Sequence, residues 1–328
     1  MISNRKIFFS VIDWGLGHAT RSAPIIQSLL QSNQLTIGVT EKNKFFFDQA
    51  FPQVPQILLP SYNIQYSKNI PLWLKLLMQW PKINRVIRDE KKLLAQLILE
   101  KKFDLVISDN RFGLSHKTVE SIFITHQLFL KTPVFSQLAN KINRSYINEY
   151  SEVWVPDFPE HERRLAGDLV DAVHINIPVT YIGPQSYLSA IKPNEQNISA
   201  FDYLILLSGE EPQRNILEEM LIKKFRNTEK KIVLVRGTNL KKRPVTTMEV
   251  IDFAYGEALL QLIGIAKTVI CRSGYSSLMD LHLLHKKDLI LIPTPGQTEQ
   301  EYLDSYWQQK FGTKTVLQKE IEGFEFNS

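Results

Sequence analysis

Gly15-Leu16-Gly17-His18 follows the apolar run Ile7-Phe8-Phe9-Ser10-Val11-Ile12 and leads into an amphipathic stretch at residues 19–31. A second loop of the same kind, Arg272-Ser273-Gly274-Tyr275-Ser276-Ser277-Leu278-Met279-Asp280, follows Lys267-Thr268-Val269-Ile270-Cys271 in the other half of the chain. A glycine-bearing turn between a strand and a helix presents backbone N–H groups where a phosphate can sit. One such loop is common. Two of them, one per half, predict two α/β halves facing a ligand cleft.

Working outward, apolar runs of strand length alternate with amphipathic runs of helix length, the pattern of parallel sheets covered by helices. Strands are expected at 7–12, 35–40, 56–59, 105–108, 122–125 and 152–155, and then at 203–207, 232–235, 269–271 and 289–292. Helices are expected at 19–31, at 72–100 with a break or kink at Pro81, and at 134–150, 215–225, 257–265, 276–285 and 299–311. Ile25, Ile26, Leu29 and Leu30 give the first helix one apolar face. Gly183-Pro184-Gln185 and the polar stretch Ile191-Lys192-Pro193-Asn194-Glu195-Gln196-Asn197 punctuate the chain between the halves. They place the domain boundary between residues 1–183 and 184–328. A chain of 328 residues is long for a single core, which agrees with two domains.

Composition excludes several classes. An apolar fraction of 44% with 22% charged residues is that of a soluble globular protein. Arg5 and Lys6 precede too short an apolar run for a secretory leader, and no stretch is long enough to span a bilayer. The single cysteine, Cys271, forms no intrachain disulfide and suits a reducing cytoplasm. Asn143-Arg144-Ser145 and Asn197-Ile198-Ser199 therefore match the glycosylation pattern by chance. The net charge of +5 favours an anionic ligand. Lys223-Lys224, Lys230-Lys231 and Lys241-Lys242-Arg243 are short runs without interleaved aromatics, so nucleic acid is not an expected partner.

Among residues that can carry chemistry, His18 stands at a helix N-terminus beside two glycines, a place for a base or a phosphate donor, with a hydrogen-bonded packing role as the competing reading. Asp109-Asn110-Arg111 and His126 each end a strand, and the carboxyl ends of strands in an open α/β sheet border the ligand crevice. Gly15 and Gly17 match the start of a dinucleotide fingerprint with Glu41 as the ribose acid, but Thr20 replaces its third glycine. A tight turn without a ligand is the alternative. In the second half, Gly209 allows close approach after a strand, Arg214 can grip a phosphate or lie solvated on the surface, and Arg236 ends the next strand. Asp280 lies more than a turn beyond Gly274, within reach of ribose hydroxyls or exposed as a surface acid. Pro293-Thr294-Pro295-Gly296-Gln297-Thr298-Glu299-Gln300 forms a rigid polar loop after a strand. No metal-ligand spacing occurs; His282 and His285 lack partners nearby in the sequence.

Taken in order, Gly15-x-Gly17-His18, Ser208-Gly209, Ser273-Gly274-x-x-Ser277-x-x-Asp280 and Gln297-x-x-Gln300 resemble the motifs of family 28-like GT-B glycosyltransferases, over nearly the whole chain. That group includes the bacterial enzyme that adds N-acetylglucosamine to the lipid-linked peptidoglycan precursor. The resemblance implies an α/β GT-B fold: two Rossmann-like domains with parallel sheets facing an interdomain cleft. The N-terminal domain would take the acceptor and the C-terminal one the nucleotide-sugar donor. It further implies a UDP-sugar substrate, no cofactor and no metal, the diphosphate being met by helix N-termini and loop amides.

Carried over by position, Gly274 and Ser277 line the diphosphate, Asp280 binds ribose and Gln300 meets the donor sugar, with Ser273, Ser276 and Gln297 also on the donor side. Gly209, Arg214 and Arg236 complete the donor side, with Gly15 and Gly17 near the diphosphate. Asn110, Arg111 and His126 lie on the acceptor side. The family more often has Thr at position 277, Glu at 280 and Asn at 303, where this chain has Ser277, Asp280 and Leu303. The expected activity is inverting transfer of a hexose such as N-acetylglucosamine to an acceptor hydroxyl, with His18 as base and Asp109 as the alternative. A nicotinamide-dependent oxidoreductase and a non-catalytic nucleotide-sugar-binding protein are the competing readings. Finally, residues 72–80 carry Trp73 and Trp80 in an apolar run followed by Lys82, Arg85 and Arg88, the composition of a segment lying in a bilayer interface or of a core helix. The first reading makes the protein peripheral on the cytoplasmic face of the membrane, with a lipid-linked or envelope acceptor.

Overall fold

The computed structural model describes residues 2–67, 70–191, 200–238 and 244–326. The basic run Lys241-Lys242-Arg243 and most of the stretch following Ile191, including Asn197-Ile198-Ser199, lie outside the described residues. The chain divides into two units, Met1–Gln65 with Leu76–Gln185, and Tyr66–Lys75 with Ser186–Ser328. The division is thus more than one cut near residue 183, because Tyr66–Lys75 packs with the second unit. There the Leu72 N–H donates to the Gly296 carbonyl at 3.1 Å. Gly296 has a left-handed φ of 73°, and a Cβ on it would stand 2.9 Å from Pro71 Cα, so glycine is required twice over.

In the first unit the elements run β1 (Lys6–Val11), α1 (Gly17–Leu30), β2 (Gln34–Val39), α2 (Lys44–Ala50), β3 (Gln56–Leu58), α3 (Leu72–Lys101, in this unit from Leu76 onward), β4 (Leu105–Asp109), β5 (Glu120–Ile124), α4 (Ser136–Ile147), β6 (Glu152–Val155) and β7 (Val179–Tyr181). The strands form one parallel sheet in the order β3-β2-β1-β4-β5-β6-β7. Both faces of a parallel sheet are covered, so its strands read as unbroken apolar runs rather than alternating ones. Ile7, Phe8 and Phe9 are accordingly all buried.

The second unit continues with β8 (Phe201–Leu206), α5 (Gln213–Lys224), β9 (Ile232–Val235), β10 (Glu249–Ile251), α6 (Gly256–Ile265), β11 (Ala266–Cys271), α7 (Tyr275–Leu283), β12 (Leu289–Leu291), α8 (Thr298–Phe311) and β13 (Lys314–Thr315). Its sheet is parallel in the order β10-β9-β8-β11-β12-β13. Tyr203, Ile205, Leu217, Leu221, Ile270 and Ile290 share one core cluster between that sheet and α5.

Three details depart from the sequence reading. α3 stays one 30-residue helix through Pro81. Proline frees the carbonyl of Leu77, but Leu77 and Pro81 are both exposed, so water can meet that carbonyl. α2 had no counterpart, although Phe46 and Phe47 anchor it in the core. The edge strands β10 and β13, three and two residues long, are too short to show a period.

Candidate active site

In an α/β sheet the crevice at the carboxyl ends of the strands, where the strand order reverses, is the natural ligand position. In the first unit that point lies between β1 and β4. Register pairs Val11 with Asp109 and Asp109 with Ile124, so the loop after β1, the end of β4 and the turn after β5 meet at one level. There His18, in the first turn of α1, meets Asp109, and His126, after β5, lies beside them. His18 Nδ1 lies 2.9 Å from Asp109 Oδ1, and the two histidine rings stand 6.3 Å apart between centroids.

Two residues that the sequence reading missed complete the cluster. Arg21 Nε donates to Asp109 Oδ2 at 3.0 Å and its Nη2 donates to Oδ1, while Nη1 lies 2.7 Å from His126 Nδ1. Ser22 Oγ donates to Asp109 Oδ2 at 2.8 Å. The signal was present: positions 21 and 22 follow His18 by three and four, and so share its face of α1.

Burial alone would raise the Asp109 carboxyl, but Arg21 and then His18 outweigh it and hold that carboxyl well below the usual range. His18 moves down, chiefly by burial and then by the Arg21 charge, against the upward pull of Asp109. The imidazole is therefore neutral near pH 7 and donates Nδ1–H to Asp109, which leaves Nε2 as the basic atom. Asp109 is buried, with both oxygens engaged by His18, Arg21 and Ser22.

Gly15, with φ 76°, makes the turn into α1, and Gly17 is its first residue. Thr20 lies inside the helix and bonds back to the Gly17 carbonyl at 3.1 Å, and Glu41 is exposed past β2. Asn110 follows Asp109 in a left-handed conformation, its N–H on the Ile124 carbonyl at 3.1 Å. Arg111 does not face an acceptor. It is fully buried, with Nε on Glu90 Oε1 at 2.7 Å and further donors on the carbonyls of Pro60 and Val11, and Glu90 also accepts from Tyr62 at 2.7 Å. A buried carboxylate needs such a partner, and Arg111 is spent on it.

In the second unit the corresponding point lies between β8 and β11. Leu206 pairs with Cys271, so Ser208-Gly209 and Arg272-Ser273-Gly274 leave the sheet side by side. The two arginines assigned to the donor belong elsewhere. Arg214 gives Nη1 to Glu218 at 2.6 Å and to the Arg236 carbonyl at 3.0 Å, Nε to Glu211 at 2.8 Å and Nη2 to Asn215. Arg236 holds the same Glu218 through Nε and Nη2, both at 3.1 Å, and Asp252 through Nη1 at 2.9 Å. Both guanidiniums are buried in ion pairs and do not reach for a phosphate.

Gly274 caps α7 in an extended conformation without a side-chain hydrogen bond, and the first N–H to return to it is that of Leu278, on the Gly274 carbonyl at 3.1 Å. The N–H groups of Ser276 and Ser277 stand in the first turn of α7, ahead of the i to i−4 ladder of the helix. Ser276 and Ser277 are half-buried, while Ser273 is buried with Oγ on the Gln300 carbonyl at 2.8 Å. Gln297 caps α8. Gln300 Oε1 accepts from the Thr294 N–H at 2.9 Å.

Burial pushes Asp280 up to about 7 against a lowering hydrogen bond with Ser186. Arg272 and Asp304 were not singled out by the sequence reading. Arg272 is buried on the carbonyls of Ile292, Pro293 and Gln213 and on Gln318 Oε1, and burial draws it down to about 9. Asp304, one turn beyond Gln300, is raised by burial to about 7. Among the described residues no group of three or more His, Cys, Asp or Glu is arranged to hold a metal ion.

Residues 206–326 match the model of the glycosyltransferase family 28 C-terminal domain. A comparison with curated proteins found no match. Solved structures with the same architecture include Arabidopsis thaliana UGT89C1 complexed with UDP-L-rhamnose, at TM-score 0.61 and 13% identity over 98% of this chain and 89% of that one. The spinosyn rhamnosyltransferase SpnG complexed with thymidine diphosphate gives 0.62 and 10%, over 97% and 90%. Acinetobacter baumannii MurG gives 0.53 and 14%, over 98% and 89%. At such identities the likeness is one of fold, the two parallel-sheet units of GT-B, and the family match falls within the second unit. The whole chain thus has the fold of the GT-B glycosyltransferases, and its residues 206–326 match the C-terminal domain of glycosyltransferase family 28.

Proposed function

We propose that this glycosyltransferase inverts the anomeric centre, moving a hexose such as N-acetylglucosamine from UDP to a hydroxyl of a lipid-linked acceptor or cell-envelope glycan. The observation that carries the reading is the His18–Asp109 pair at the switch point of the first sheet. A neutral imidazole fixed through Nδ1 is suited to take a proton at Nε2. The acceptor O–H gives its proton to His18 Nε2 and the oxygen attacks the anomeric carbon opposite the diphosphate. The carbon–oxygen bond to UDP breaks, its electron pair leaving with the diphosphate. Asn110 and His126 flank the acceptor.

On the donor unit the N–H groups of the Ser276-Ser277 turn meet the departing negative charge, with Gly209 and Gly274 keeping the approach open. Asp280 accepts from ribose, and Gln297 and Gln300 read the sugar. The scheme calls on no cofactor or metal. UDP-L-rhamnose and thymidine diphosphate in two structures of this fold support a nucleoside diphosphate donor and leave the base to experiment.

The first unit is further read as resting on the cytoplasmic face of a membrane. Among the described residues no helix is long and apolar enough to cross one. On α3, Leu77 and Met78 are 58% and 62% exposed, with Arg85 and Arg88 exposed beyond them. Trp80 instead turns inward, edge-on to Tyr146 at 6.4 Å.

The test offers UDP- and TDP-linked sugars with polyprenyl-linked and free glycan acceptors, and follows nucleotide release and product anomer. UDP-dependent product of inverted configuration is expected. His18→Ala should lower turnover roughly 10²–10⁴-fold with UDP affinity nearly unchanged; undiminished turnover in that variant sinks the assignment of the base.

A further inference from the structure

Arg21 touches both neighbours of the proposed base. It is 1% exposed, one turn along α1 from His18, and forks onto Asp109 while its Nη1 meets His126 Nδ1. Asp109 Oδ1 is shared between His18 Nδ1 and Arg21 Nη2. A carboxylate beside a buried imidazole ordinarily stabilises the imidazolium. That would cost an enzyme its base, since only the unprotonated ring can accept a proton. A carboxylate is nevertheless useful for fixing the tautomer.

We propose that Arg21 is a positioning residue whose charge cancels that of Asp109, so that the carboxylate orients His18 without protonating it. This rests on His18 being the base. The titratable or charged groups facing His18 are Arg21 from its own helix, Asp109 from β4 and His126 from the turn after β5. Ser22 adds a neutral hydroxyl to Asp109. The geometry makes the Arg21–Asp109 pair a nearly neutral unit toward the imidazole, because both carboxylate oxygens receive guanidinium donors. Burial then dominates and lowers His18.

The experiment is an NMR titration of the full-length protein with isotope-labelled histidine, paired with the pH profile of kcat/KM. In the wild type the His18 midpoint should lie below the ordinary value of about 6.5 despite its contact with Asp109. A midpoint above that value overturns the proposal and requires no variant. Arg21→Gln should raise the midpoint by about one unit or more, and the acid limb of kcat/KM should climb with it. Arg21→Lys, which keeps a cation, should restore most of that shift. Arg21→Gln/Asp109→Asn, which removes both charges, should bring the midpoint back to the wild-type value or below. A merely structural Arg21 would reduce turnover at every pH and leave the midpoint in place, which also overturns the proposal. Full activity of His18→Ala would reject the base assignment alone, since the midpoints are read without turnover.

Discussion

The Nε2 atom of Gln300 lies 3.8 Å from the point where a Cβ on Gly274 would stand. Because Oε1 of the same amide is tied to the Thr294 N–H, the NH2 group is directed at the start of α7, where the proposed donor diphosphate and sugar meet. Gln300→Glu keeps the acceptor for Thr294 and replaces the donor with a negative charge. With a UDP-sugar, kcat/KM should fall at least about tenfold, the equivalent of one lost hydrogen bond of roughly 1.4 kcal/mol. The unfolding midpoint should hardly change. Unaltered kcat/KM would mean that this amide does not meet the donor.

With Asp280 on the ribose, as proposed, donor affinity should depend on pH. The Asp280 carboxyl is raised to about 7 in the folded chain, against about 3.9 when unfolded. The folded state therefore holds the proton more tightly, and stability declines as pH rises from about 4 to 7. Ribose hydroxyls donate best to the ionised form, so a UDP-sugar, whose phosphates do not titrate in this range, should bind more tightly at pH 8 than at pH 6. Calorimetry on the wild type and Asp280→Asn should find that dependence in the first and not in the second. A flat wild-type profile would take Asp280 off the ribose.

Arg214 provides a contrast between stability and binding. Replacing it with Met strips Glu218 of one of its two guanidinium partners and frees the Arg236 carbonyl. Because Glu218 keeps Arg236, the cost is that of buried polar groups losing a partner, on the order of 1–3 kcal/mol, and not that of an unpaired buried charge. Denaturant unfolding should register that loss, while nucleotide affinity below the unfolding transition stays within about twofold. A selective loss of affinity at full stability would return Arg214 to the phosphate.

For the membrane, vesicle sedimentation separates the outward from the inward apolar residues of α3. Leu77→Ser/Met78→Ser should reduce binding to anionic vesicles, and the wild-type binding itself should weaken with salt. Trp80→Ser, which removes the contact with Tyr146, should lower thermal stability more than it changes sedimentation. Equal failure of the wild type to sediment with anionic and neutral lipid would point to a soluble acceptor.

Much of the architecture was legible along the chain because its causes are local. The run from Ile7 is apolar without alternation, as a strand covered on both faces must be. The spacing of Ile25, Ile26 and Leu29 has the period of a helix with one buried face, and all three are buried on α1. His18, Asp109 and His126 were recognisable from their places after strands, since parallel topology brings carboxyl ends together.

The fate of the arginines was not legible. Arg111, Arg214 and Arg236 stand near strand ends and helix starts just as ligand-binding residues do, yet each is buried against carboxylates, Glu90 for the first and Glu218 for the other two. Glu218 follows Arg214 by four positions and could have been paired with it, but Glu90 is 21 positions from Arg111 and Asp109 is 88 from Arg21.

By itself, then, the sequence determined the longer strands, most of the helices and the two glycine loops, whose conformations depend on near neighbours. Tertiary structure decided which cation neutralises which buried carboxylate. Ion pairing depends on separations of a few ångströms, and here those follow from the register that sets Val11 beside Asp109 and from the helical spacing that puts Arg21 on the same face of α1 as His18.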